Sequence, residues 1–135
     1  MGEPNVWSVA RLADVEDRNA EVTVNGFELP CEIPADHGPE PAGATPFGLL
    51  AGSLAACTAM SVRTFLRTWR ISPGAVEVRV AVRPGAPPMM DRQVSVQGDV
   101  EPDLREQLAV EIDNTPVTRL LRDALTIRTT LRTGP

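Results

Sequence analysis

The sequence predicts an α+β domain in which an antiparallel β-sheet covers one long helix, and three observations lead to this class. Four stretches alternate apolar and polar residues with a period of two, as half-buried strands do. One helical run without a strong breaker lies between the early and the late strands. The chain of 135 residues fits a single domain (1–135) that is large enough to form a core without disulfides or metals.

The N-terminal part of the chain predicts three short strands. A weak alternation indicates a strand from Val6 to Leu12. Asn25-Gly26 is typical of a two-residue hairpin turn, here joining Glu21–Val24 to Phe27–Ile33. Cys31 falls on the apolar side of the last strand, so we expect it to be a core residue.

The central helix is predicted to begin at Thr45-Pro46, an N-cap followed by proline at the first helical position. It continues to about Arg70, and Ser72-Pro73-Gly74 is expected to end it. The sequence predicts a buried central helix with a surface that another backbone can approach closely. The small residues that form this surface are Ala51, Gly52, Ser53, Ala55, Ala56 and Ala59.

The second half of the chain alternates strands and helices. Strands are predicted at Ala75–Arg83 and Gln93–Val100, joined by a long proline-rich hairpin loop. A helix opens near Glu101 and is interrupted at Pro116, where a shorter helix begins. Leu125–Arg132 alternates again, so the predicted element order is β-β-β-α-β-β-α-α-β.

The composition excludes several classes of function. The net charge of −5 argues against a nucleic-acid partner. All 13 basic residues are arginines, so neither a Schiff-base lysine nor a phosphate-loop lysine is present. The 2 cysteines and 1 histidine cannot supply a four-ligand zinc site. No continuous apolar run matches a membrane span and the polar start is unlike a signal peptide, so we expect a cytoplasmic protein with free thiols, no membrane partner and no cofactor.

Two residues stand out for covalent chemistry. Cys57 lies within the central helix, where it is either a small packing residue or a nucleophile. His37 lies in a loop before the helix and is either a solvated histidine or the base of a Cys–His pair that Asp36 orients. Asp36, His37 and Glu40 can also be considered as a metal site, although three loop residues are a weak signal.

The stretch from Gly43 to Arg63 resembles the central helix of the OsmC/Ohr family, the osmotically induced and organic-hydroperoxide-resistance proteins. Trp69–Val78 and Thr115–Leu121 fall where this family has its matching segments. The resemblance implies an OsmC-like fold. It also implies an intertwined homodimer whose two long helices pack together, with the active sites at the subunit interface.

The resemblance implies a peroxidase cycle as well. A helix thiolate attacks the peroxide and becomes a sulfenic acid, a second cysteine forms a disulfide with it, and an external dithiol resets the site. Cys57 matches the attacking cysteine, whereas the second cysteine is here Thr115 and the glutamate near the helix start is Gly48. Arg18 is the better candidate for the supporting arginine and Arg11 is the second.

Three hypotheses follow. The first is a one-cysteine hydroperoxide reductase that uses Cys57, Arg18 and an external thiol reductant. The second is an OsmC-like protein that binds or processes a small hydrophobic metabolite in the dimer-interface pocket, and the third is a purely structural dimer. The candidate substrate-binding residues are Phe47, Met60, Thr115 and His37, to which the metabolite hypothesis adds Met89, Met90 and Trp7.

Overall fold

The computed structural model describes residues 7–14, 16, 19–32, 44–123 and 125–133. They divide into two compact units, one ending at Ala51 and the other beginning at Gly52. The elements are α-helices and antiparallel strands, so the predicted α+β class is confirmed.

The first unit contains a small antiparallel sheet with β2 (Asn19–Val24) at its centre. Strand β2 pairs with β1 (Ser8–Arg11), β3 (Phe27–Glu28) and β4 (Cys31–Glu32). The turn between β2 and β3 has a positive φ at both Asn25 (48°) and Gly26 (88°). This is the backbone of a type I′ turn, so the hairpin predicted at Asn25-Gly26 is confirmed.

The strand predicted from Phe27 to Ile33 is divided in two. Pro30 lies between β3 and β4 and has no N–H group to donate to the sheet. Cys31 follows at the start of β4 and is 6% exposed, so the expected core position is confirmed.

Helix α1 (Pro46–Thr68) begins where the sequence predicts and ends slightly earlier. At its start the Gly48 N–H donates to Thr45 Oγ1 over 3.1 Å, as an N-cap requires. At its end Arg70 has a φ of 58°, and the Ile71 N–H donates to the Leu66 carbonyl over 2.9 Å. This is a Schellman ending, so the backbone turns before Ser72-Pro73-Gly74 is reached.

In the single chain α1 is buried along one stripe only, formed by Leu54, Thr58, Val62 and Leu66. The small residues Gly52, Ser53 and Ala56 are exposed in the single chain, on the surface predicted to be open to the approach of another backbone. Helix α1 is also long and apolar enough in composition to cross a membrane, with a mean hydropathy of 1.4 over its most apolar window. A single helix of this kind is weak support for a span, since core helices of water-soluble proteins share these properties.

The second unit continues with an antiparallel hairpin of β5 (Val76–Arg83) and β6 (Met89–Val96). The strand predicted at Gln93–Val100 therefore lies earlier in the chain, because its partner β5 fixes the register from Arg83↔Met89 to Val76↔Val96. Helices α2 (Pro102–Ile112) and α3 (Pro116–Arg122) follow, each with proline in its first turn as predicted. The core cluster of this unit consists of Val62, Leu66 and Leu108.

The segment from Leu125 to Arg132 does not form the strand that its alternation predicts. Its apolar side chains are open to solvent, with Leu125 55%, Ile127 81% and Leu131 83% exposed. A strand forms by pairing with a free edge, and an alternating pattern does not specify which edge that is.

Candidate functional site

Cys57 lies in α1 and is partly exposed, in contrast to the buried Cys31. In a helix, residues three or four positions apart share a face, so Cys57 is on the side of α1 that carries Met60, Ser61 and Thr64. The next residue, Thr58, is 0% exposed and faces the protein interior. The backbone that carries Cys57 is thus anchored on one side, while the thiol side remains accessible.

A buried polar cluster holds Thr58 in place, and Arg92 of β6 is its centre. The Arg92 Nη1 group donates to Thr58 Oγ1 over 3.1 Å and to Thr118 Oγ1 over 2.7 Å. Arg92 Nη2 donates to Asp113 Oδ1 over 3.3 Å. Thr58 Oγ1 in turn donates to the Leu54 carbonyl over 2.7 Å. One guanidinium group therefore joins α1, β6, α3 and the turn between α2 and α3.

Thr115, the N-cap residue of α3, belongs to the same cluster and is 1% exposed. Its Oγ1 lies 2.6 Å from Thr118 Oγ1, and it also donates to the Ile112 carbonyl over 3.5 Å. The resemblance aligns Thr115 with the second cysteine of the family, and Thr118 lies one helical turn later. In this chain the two positions form a hydroxyl pair that is bonded to Arg92 through Thr118.

A groove of about 350 Å³ runs along the exposed side of α1 and is bounded by Glu111 of α2. Met60 and Trp69 line it and are 62% and 51% exposed. Phe65 also lines the groove, and its ring lies 6.5 Å from that of Trp69, at 50°. The groove begins one helical turn after Cys57, which is not itself among the described residues that line it.

The other predicted site residues are separate from this arrangement or cannot be placed. Phe47 is 65% exposed at the start of α1, in the first unit. Arg11 is exposed on β1, where it is paired in register with Glu21. Arg18 and His37 lie outside the described residues, together with Asp36 and Glu40. Of the residues proposed for the metabolite pocket, Trp7 and Met89 are exposed and Met90 is partly buried.

No group of three or more histidine, cysteine or acidic side chains close enough to hold a metal ion occurs among the residues that the structure describes. Within those residues the described site is therefore built from one thiol, threonine hydroxyls, a guanidinium group and an apolar groove.

The fold has clear relatives among solved structures. An osmotic stress induced and detoxification response protein from Psychrobacter arcticus matches with a TM-score of 0.71 and 17% identity, over 88% of both chains. An OsmC-like protein from Mycoplasma pneumoniae matches with a TM-score of 0.68 and 15% identity, over 90% of this chain and 88% of that one. The chain has the OsmC-like fold.

A third solved structure with a similar fold is an organic hydroperoxide resistance protein. The organic hydroperoxide resistance protein OsmC from Legionella pneumophila has a TM-score of 0.61 and 20% identity, covering 90% of this chain and 92% of that one. No family model and no curated protein sequence matches the chain. At these identities the likeness confirms the OsmC-like fold that the sequence resemblance implied, and it leaves the activity to be argued from the residues.

Sequence reasoning missed Arg92. The predicted strand starts at Gln93 and therefore leaves Arg92 out. Extending the alternation of Val96 and Val94 backwards by one step places Arg92 on the inner face of the strand. A charged residue at an inward position is a signal for a buried, paired group, and this signal was available in the sequence.

Proposed function

We propose that this OsmC-like protein reduces organic hydroperoxides through Cys57, as a cytoplasmic one-cysteine thiol peroxidase. The observation that carries the proposal is the partly exposed Cys57 beside an apolar groove, on a helix that the Arg92 cluster anchors through Thr58. The hydroperoxide resistance protein of Legionella pneumophila, which shares the fold, supports the same reading.

The proposed chemistry balances with a single protein thiol. The Cys57 thiolate attacks the outer oxygen of ROOH, the O–O bond breaks, and the alkoxide takes a proton to leave as ROH. Cys57 becomes a sulfenic acid. One external thiol then forms a mixed disulfide with release of water, and a second thiol restores Cys57 and leaves as the external disulfide.

The external thiol is part of the proposal because this chain offers no obvious resolving cysteine. Its only other cysteine is Cys31, which is 6% exposed in the first unit. Thr115, at the position of the family's second cysteine, has a hydroxyl that bonds within the polar cluster and cannot form a disulfide. Arg18 remains the proposed supporting arginine on the resemblance alone.

The direct test measures consumption of cumene hydroperoxide by purified protein in the presence of dithiothreitol. Cys57→Ser is expected to abolish turnover, while Cys31→Ala, the matched control, retains it. Trapping with dimedone is expected to label Cys57 after one equivalent of hydroperoxide. A Cys57→Ser variant as active as the parent protein would falsify the proposal.

The homodimer is also a proposal. Exposed Gly52, Ser53 and Ala56 form a face of α1 on which a second helix can pack closely. Light scattering on the purified protein is expected to give twice the mass of one chain. Replacing Ala56 with glutamate is expected to shift the mass towards one chain.

The groove also favours a second candidate function, the binding of a small hydrophobic metabolite without redox chemistry. Met60 and Trp69 present apolar surface there that the single chain leaves uncovered. Native mass spectrometry distinguishes the two functions. A co-purifying ligand together with a Cys57 that forms no sulfenic acid supports the metabolite, whereas stoichiometric sulfenic acid supports the peroxidase.

A further inference from the structure

A second cavity lies in the unit that begins at Gly52, between strand β6 and helix α2. Its volume is about 310 Å³, which is at the lower end of small-molecule sites. The walls are mainly aliphatic side chains from the strand, from the segment that follows it and from the helix. They include Val94, Val96, Val100, Leu108 and Ile112.

Among the residues that the structure describes, Arg105 is the one charged residue that lines this cavity. Its side chain is exposed, and it takes part in none of the ion pairs formed among residues 7–14, 16, 19–32, 44–123 and 125–133. Exposed arginines outside these ion pairs also occur elsewhere in the described chain, for example Arg63 and Arg67 on α1, so what distinguishes Arg105 is its place in the cavity wall. A cavity with aliphatic side chains in its walls and one guanidinium group at its edge is therefore complementary to a molecule that has an apolar part and one negative charge.

We propose that this cavity binds a monoanion with a short aliphatic tail, of the medium-chain carboxylate class. The tail lies against the valine and leucine side chains, where burial of its methylene groups supplies the driving force. The carboxylate lies at Arg105, whose planar guanidinium group can bind both carboxylate oxygens. The site does not use Cys57, so this proposal is independent of the peroxidase.

The size of the cavity and its single cation both limit the ligand. A second negative charge has no partner in the lining, which disfavours dicarboxylates and phosphate monoesters. A neutral alcohol with the same tail keeps the apolar contacts but leaves Arg105 unpaired. A specific site at Arg105 therefore binds the carboxylate more tightly than the alcohol, whereas a nonspecific apolar depression binds both equally.

The test uses isothermal titration calorimetry of the full chain with octanoate and with 1-octanol, each below its aggregation limit. Octanoate is expected to bind about tenfold more tightly than 1-octanol, since one charge-assisted hydrogen-bonded contact separates them. Arg105→Gln is expected to remove that tenfold advantage and to leave 1-octanol binding unchanged. Arg63→Gln, which alters an exposed arginine outside the cavity lining, is the matched control and is expected to retain it.

Ala109→Phe provides a second, steric test, because Ala109 is an exposed residue that lines the cavity. The larger side chain is expected to abolish binding of both ligands while the circular dichroism spectrum stays that of the parent protein. Equal affinities for octanoate and 1-octanol, no binding of octanoate, or an Arg105→Gln variant that retains the preference would each overturn the proposal.

Discussion

The β5–β6 hairpin carries Arg92 on one face and Arg79 on the other, and these two arginines behave in opposite ways. Arg92 lies on the inner face, where its side chain is 13% exposed and bonds to α1, α3 and the α2–α3 turn. Arg79 lies on the outer face, is 77% exposed, and bonds to Glu77 of its own strand over 2.6 Å. The same residue type thus joins distant elements on one face and makes only a local contact on the other.

This difference shows where the hairpin contributes to the site. An exposed ion pair adds little stability because water competes for both groups. A largely buried guanidinium group must instead have its hydrogen-bond partners in place, so removing it takes a donor from Thr58 Oγ1 and from Thr118 Oγ1 where little water can replace it. The position of Thr58, and with it the segment that carries Cys57, therefore depends on the inner arginine.

The largest expected effect is that of Arg92→Met. The substitution keeps much of the side-chain length but removes the donors to Thr58 and Thr118, and we expect the free energy of unfolding to fall by about 3 kcal/mol. Urea unfolding followed by circular dichroism measures this change. Arg79→Met is the matched control on the outer face and is expected to give no measurable change. If the two variants unfolded at the same urea concentration, the arginines on the two faces would contribute equally to stability.

Thr118→Val is expected to have an intermediate effect. Valine has the shape of threonine without the hydroxyl, so the 2.7 Å bond from Arg92 and the 2.6 Å contact with Thr115 are both lost. The expected cost is about 1.5 kcal/mol. A double-mutant cycle with Arg92→Met is expected to show coupling, because both substitutions remove the same bond. Strictly additive effects would contradict the shared contact.

Much of the fold was predictable because short-range chemistry decides it. The Asn25-Gly26 turn, the Thr45 cap and the prolines that open α2 and α3 act within a few residues. The register of β6 was not predictable in this way, because its start at Met89 is set by pairing with Arg83 across the hairpin.

The same distinction between short-range and long-range chemistry applies to the candidate site. Cys57 could be identified because the helix that carries it has a recognisable sequence. The inward position of Arg92 could also be read from the alternation of its strand, but its partners could not, since they lie 34 and 26 positions away in the chain. The groove is also a tertiary feature, because Glu111 comes from a different helix than Met60 and Trp69.

Asp113→Asn is expected to have the smallest effect on the free energy of unfolding. It tests whether the carboxylate or the threonine hydroxyls hold Arg92 in place. Asp113 is the one carboxylate within ion-pair distance of Arg92 in the described part of the chain, yet its side chain is 71% exposed. If Arg92 stabilises the fold through its buried hydrogen bonds and not through charge pairing, loss of this carboxylate lowers the free energy of unfolding by only about 0.5 kcal/mol, as for other exposed ion pairs. The cost is also expected to shrink in 1 M salt, where the screening length is about 3 Å. Urea unfolding of the variant at low and high salt measures both quantities. A loss as large as that of Arg92→Met would mean that Asp113, and not the threonine hydroxyls, holds the guanidinium group in place.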